Sequence, residues 1–126
     1  MKPATESDHA ALEGTWAIVK AELAGEEMPE LVAQKTEVEL SGGAYAVRFD
    51  GRTADRGNYL LGAADGYRGL TLVGLEGPNA GRTIPAIYQL VGDRLRICYG
   101  IDGQTPTRFA TTPDSQLYLV TYRRKM

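Results

Sequence analysis

The stretch Thr83-Ile84-Pro85-Ala86-Ile87-Tyr88-Gln89-Leu90-Val91-Gly92-Asp93-Arg94-Leu95-Arg96-Ile97-Cys98-Tyr99-Gly100 reads as two β-strands folded back on one another. In its second half Leu95, Ile97 and Tyr99 alternate with Arg94, Arg96 and Cys98, and a period of two sends alternate side chains to opposite faces of a strand. Between the halves, Gly92-Asp93 supplies residues that tolerate the positive φ of a tight hairpin turn. The hairpin therefore has one apolar face and one wet face. Pro85 cannot donate to a ladder, so a bulge is expected where it interrupts the first strand.

The same grammar extends in both directions. Eight strands are expected, near 14 to 23, 36 to 41, 44 to 50, 56 to 61, 68 to 75, 83 to 91, 94 to 100 and 116 to 124. Gly42-Gly43, Asp50-Gly51 and Asp65-Gly66 are further tight-turn signals, and Val38 and Leu40 alternate with Glu37 and Glu39. Two connections are longer, from Ala24 to Lys35 and from Ile101 to Ser115, and both are expected at a barrel mouth. Within the first, Pro29 to Ala33 fits one helical turn with Pro near its start. Ser7 or Asp8 is placed to cap a short helix through Ala10, Ala11 and Leu12, lying across one end of the sheet, with Gly14 available to end it. With so little helix to cover an apolar face, rolling the meander closed hides that face and removes both edges. The expected fold is all-β: an eight-stranded antiparallel up-and-down barrel, with residues 1 to 11 as a polar tail and short helix, in a single domain over 1 to 126.

Gly14-Thr15-Trp16 at the start of the first strand resembles the Gly-x-Trp element of lipocalins and related calycins. In that superfamily the tryptophan plugs the closed end of the barrel beneath an arginine of the last strand, which implies the same for Trp16 with Arg123 or Arg124. Leu12-Glu13-Gly14-Thr15-Trp16, Glu76-Gly77-Pro78-Asn79-Ala80-Gly81-Arg82-Thr83, Ile87 to Cys98 and Pro106-Thr107-Arg108-Phe109, in that order and spacing, resemble a family of small lipocalin-like domains best known from planctomycetes. That family has no agreed activity, so the resemblance implies the fold and leaves the function open.

Composition narrows the function classes. The chain of 126 residues is 43% hydrophobic and 24% charged, with a formal net charge of -2, which is ordinary for one globular domain. Such a charge lacks the basic field that drives nucleic-acid affinity, and Arg123, Arg124 and Lys125 read as a solvated terminus. The single cysteine, Cys98, excludes an intrachain disulfide and argues for a reducing compartment. The polar start and the lack of a long apolar run give the expectation of a cytoplasmic protein without membrane contact.

Few residues carry recognisable chemistry. The only histidine, His9, has no Cys or His partner at ligand spacing, so neither a metal site nor a His-based triad is expected. Cys98 reads as a small packed side chain rather than a nucleophile, since no base is near it in the pattern. Gly77 to Gly81 lacks the Lys-Ser/Thr and following helix of a phosphate-cradling loop and reads as a turn. Seven tyrosines stand against two phenylalanines. Tyr45, Tyr59, Tyr88 and Tyr99 fall in phase with the apolar positions of four strands, either filling the core or lining a ligand cavity.

If Trp16 points inward, strict alternation sends Lys20 and Glu22 inward as a buried ion pair, which is expensive unless satisfied. A bulge after Val19 would instead turn both to solvent. Should they face inward, Lys20 and Glu22 become ligand-orienting candidates, with Arg108 reaching over the mouth from the last long loop.

Three functions are compatible with such a chain. The leading one is a cofactor-free binder of a small, largely apolar or aromatic molecule in a tyrosine-lined barrel. The second is a cofactor-independent cyclase or isomerase that uses the cavity as a shape template. The third is a filled barrel acting through its surface as an interaction or inhibitor module. A homodimer is compatible with each.

Overall fold

The computed structural model describes residues 6–64 and 67–125. The chain begins with helix α1 (Glu6–Leu12) and strand β1 (Gly14–Leu23), followed by a two-residue strand β2 (Glu26–Glu27) and helix α2 (Pro29–Ala33). Strands β3 (Glu37–Ser41), β4 (Ala44–Phe49), β5 (Arg52–Ala64), β6 (Tyr67–Glu76), β7 (Thr83–Val91), β8 (Arg94–Gly100) and β9 (Leu117–Arg124) complete it. Each of β3 to β9 pairs antiparallel with the next, β3 pairs with β1, and β1 pairs with β9. These pairings make a closed eight-stranded up-and-down barrel of lipocalin-like form, with β2 appended outside the ring as a short ribbon on β1.

Tight turns set the registers. Gly42-Gly43 and Asp50-Gly51 have positive φ at both central residues, the geometry whose twist matches that of paired strands. Because Asp50-Gly51 turns so tightly, β5 starts at Arg52, four residues before the alternation suggested, and this places Asp55 in the barrel wall. The Asp65-Gly66 signal lies outside the described residues. No bulge occurs at Pro85: β7 pairs with β6 through Thr71↔Pro85 without a shift, and its ladder to β8 begins one residue later at Ala86↔Tyr99. The proline is tolerated because one flank of the strand is still unpaired there.

A bulge does occur in β1. Ile18 faces Tyr122 and Lys20 faces Thr121, so Val19 is the extra residue, and the alternation flips across it. Trp16, Ile18 and Ala21 thus point into the core while Lys20 turns outward to Glu27 at 3.3 Å.

Helix α1 closes one end of the barrel. It spans Glu6–Leu12, so the positions of Ser7 and Asp8 both fall inside the helix rather than ahead of it. Asp8 instead turns into the protein, accepting from the Tyr88 hydroxyl at 2.6 Å and pairing with Arg68 at 3.2 Å. A phenol and a guanidinium satisfy a buried carboxylate better than one exposed backbone N–H. Beneath the helix, Trp16 is fully buried and its indole N–H donates to the Leu12 carbonyl at 3.0 Å.

Arg124, and not Arg123, lies over the indole, 4.2 Å from the ring centroid. Its guanidinium donates to the carbonyls of Glu13 at 2.8 Å and Ala11 at 2.5 Å. Arg123 is exposed, because alternation along β9 aims it at solvent. Fork-like donation plus a cation–π contact ties the last strand to the α1–β1 junction. Replacing Arg124 with Ala is expected to cost about 2–4 kcal/mol in urea-denaturation stability. Arg124→Lys should recover only part of it, and Arg123→Ala should stay within about 0.5 kcal/mol of the parent protein.

Candidate functional site

At the end opposite α1 the barrel is not filled. A cavity of about 260 Å³ lies between the upper parts of the strands, beneath the turns after β4 and β6. Its wall carries Tyr99, Tyr118 and Tyr122 on one side and Val47, Leu72 and Ile84 on the other, with Asp55, Asn79 and Thr36 as polar members. Room for about nine waters, at roughly 30 Å³ each, is room for one compact organic molecule.

The aromatic wall is internally braced. Tyr99 and Tyr118 stack with ring centroids 5.6 Å apart, and the Tyr99 and Tyr122 hydroxyls share a hydrogen bond at 3.2 Å. Burial pushes Tyr118 up to about 12 and raises Tyr99 and Tyr122 above the usual phenol range. The wall is therefore neutral at physiological pH.

Asp55 is the charged member of the lining and is only 6% exposed. Its Oδ2 accepts from the Tyr45 hydroxyl at 3.3 Å and from Asn79 Nδ2 at 2.8 Å. Burial, then the charge and hydrogen bond of Asp55, pushes Tyr45 up to about 12. Oδ1 is buried with no hydrogen-bond partner. It is turned toward Gly77, where a Cβ would stand 2.9 Å from it, and the positive φ of 92° at that residue also favours glycine.

The β6–β7 turn brings Asn79 to this carboxylate. The Gly81 N–H donates to the Gly74 carbonyl at 3.0 Å, and a Cβ on Gly74 would stand 1.9 Å from the Asn79 carbonyl oxygen, so only glycine admits the turn. Arg82 donates to Asn79 Oδ1 at 3.2 Å and to the Ile101 carbonyl. A guanidinium has no acceptor, so Asn79 must offer it oxygen, which leaves the amide N–H₂ for Asp55. Gly77 to Gly81 is thus a turn, as its sequence suggests, but one that carries Pro78 and Asn79 into the cavity lining.

The four tyrosines in phase with the core do not share one site. Tyr99 lines the cavity and Tyr45 stands behind Asp55. Tyr59 and Tyr88 belong to the closed end, where Tyr88 bonds Asp8 and Tyr59 packs 5.8 Å from the His9 ring. Lys20 and Glu22 are outside the wall: Lys20 pairs with Glu27, and Glu22 accepts from the Thr111 hydroxyl at 3.1 Å. Thr111 also accepts from the Gly25 N–H, so Glu22 stitches the loop over 101–116 to the barrel.

That loop does not stand only at the mouth. Phe109 packs edge-on against Tyr67 and under Arg96 along the outer wall. Arg108 is exposed on it, away from the cavity lining. Cys98 points outward yet is fully buried, and burial pushes its thiol up. Asp55, Asn79, Tyr118 and Tyr122 were missed by the sequence reading. For Tyr118 and Tyr122 the signal was present, two tyrosines at even spacing on the last strand.

Among the described residues no group of three or more His, Cys, Asp or Glu side chains gathers as a metal site, and no helix is long and apolar enough to cross a membrane. No protein-family model matches this sequence, and no curated protein matches it either.

Five buried tyrosines and the half-buried Tyr118 have a pH consequence. Burial holds the phenols of Tyr45, Tyr59, Tyr88, Tyr99, Tyr118 and Tyr122 above their ordinary value of 10.0 in the folded state. The unfolded chain releases these protons first, so the stabilisation is full below pH 10 and is lost as pH rises toward 12 and beyond. Tyrosinate absorbance near 295 nm should therefore rise together with loss of the β circular-dichroism signal. A smooth rise centred near pH 10 in a barrel that stays folded would contradict this burial.

Proposed function

We propose that the chain is a binding protein for one small, largely apolar or aromatic molecule held at the open end of the barrel. The observation that supports this reading best is the cavity of about 260 Å³, whose walls are aromatic and aliphatic and whose lining includes Asp55, hydrogen-bonded by Asn79 and by Tyr45 behind it. Small-molecule sites have this make-up, though most are somewhat larger, so the ligand is compact, of the order of one ring with a short substituent. We place this activity in the cytoplasm, a setting supported by the single free cysteine, Cys98.

Two measurements test the proposal. Native mass spectrometry of protein purified from its own host should show a stoichiometric adduct that disappears on denaturation. Compact aromatic ligands should raise the melting temperature, since a ligand that binds only the folded state stabilises it by mass action. Val47→Trp, which places an indole in the cavity from β4, should abolish both effects while leaving the barrel folded. A bare native mass together with no thermal shift across an aromatic panel would sink the binding reading.

A further inference from the structure

Resting on the reading of this cavity as a binding site, we propose that its ligand is a small protonated amine with an apolar or aromatic body, anchored by the Asp55 carboxylate. Asp55 is the sole charged side chain of the lining and is nine-tenths buried. Among the described residues no Lys or Arg pairs with it, and the cation nearest in the hydrogen-bond network, Arg82, is held by Asn79 Oδ1 and the Ile101 carbonyl. Tyr45 and Asn79, both neutral donors, occupy one carboxylate oxygen and leave the other with nothing.

A buried carboxylate satisfied on one side only is costly to the apo protein. Charge complementarity selects the partner that removes this cost. A carboxylic acid would set like charges against each other, and a neutral body alone would leave the anion uncompensated. An ammonium brings one positive charge and three N–H donors, enough for the open oxygen and for the rim. Stacked Tyr99 and Tyr118 stand elsewhere in the same lining. Their apolar surface receives the ligand's body. To reach Oδ1 the amine must displace the Gly77 side of the β6–β7 turn, since that oxygen is turned toward Gly77.

Isothermal titration calorimetry at pH 7 with three probes of similar shape tests this: 2-phenylethylamine, 2-phenylethanol and 3-phenylpropanoate. The amine is expected to bind at least tenfold tighter than the alcohol, and the acid weakest. Asp55→Asn, which keeps the shape and an oxygen to accept from Tyr45, should erase the preference for the amine over the alcohol. Equal or tighter binding of the alcohol or the acid by the parent protein overturns the amine assignment and leaves the binding barrel intact. Retention of the amine preference in a folded Asp55→Asn variant overturns it too. No heat from any of the three, with no thermal shift from other aromatic ligands, overturns both.

Discussion

Pairing of the first long strand with the last, β1 with β9, is the constraint on which everything else rests. Without it the sheet would keep two open edges and an apolar face with nothing to cover it. The pairing is held where it starts, at the junction of α1 and β1. There Arg124 lies on the Trp16 ring and bonds two carbonyls that precede it in sequence by more than a hundred residues. One side chain thereby fixes the seam, the helix and the plug at once. The bulge at Val19 belongs to the same seam: by absorbing one residue it keeps Trp16, Ile18 and Ala21 inside and lets Lys20 leave the core.

Closure divides the interior into two halves of different character. Around Trp16, Leu12, Tyr88 and Tyr59 the barrel is packed, with the Tyr88 hydroxyl led to Asp8, which Arg68 pairs, and the Trp16 N–H led to the Leu12 carbonyl. Toward the other end the same kind of residue, tyrosine, lines space instead of filling it. The difference lies in what covers each end. Helix α1 supplies Leu12 and Asp8 to the closed end, whereas the cavity at the open end lies beneath the turns after β4 and β6, with Phe49 and Pro78 in its lining. A polar network from Arg82 through Asn79 to Asp55 and Tyr45 holds that roof in place, and it ends at an oxygen with no partner. A protein built for stability alone would fill that vacancy with an apolar residue.

Strand alternation and turn chemistry act over two to ten residues, and their outcome was legible. The paired apolar positions Val38 and Leu40, the inward run Leu95, Ile97 and Tyr99, and the glycine turns all stand where the period of two puts them. Gly14-Thr15-Trp16 pointed to the plugged end. The choice between Arg123 and Arg124 did not follow from sequence, because one residue of register in β9 decides which of them faces the indole. The start of β5 was misjudged for a related reason. Arg52 to Asp55 carries no apolar alternation, so only its pairing with β4 makes it a strand, and with it went the chance to see Asp55 as a member of the wall.

The sequence by itself determined a single meander of antiparallel strands with one apolar face, which closure hides while also removing both edges. Local preferences suffice for this because each strand's face assignment is written in its own few residues. The tertiary structure decided which inward residues fill the core and which surround a cavity. It sent Tyr59 and Tyr88 to the helix-covered end and left Tyr99 with Tyr118 and Tyr122 around open space. It also brought Asp55 and Asn79, 24 residues apart, to 2.8 Å. Barrel tilt, and the roof that each end receives, are properties of the closed ring and are encoded in no single strand.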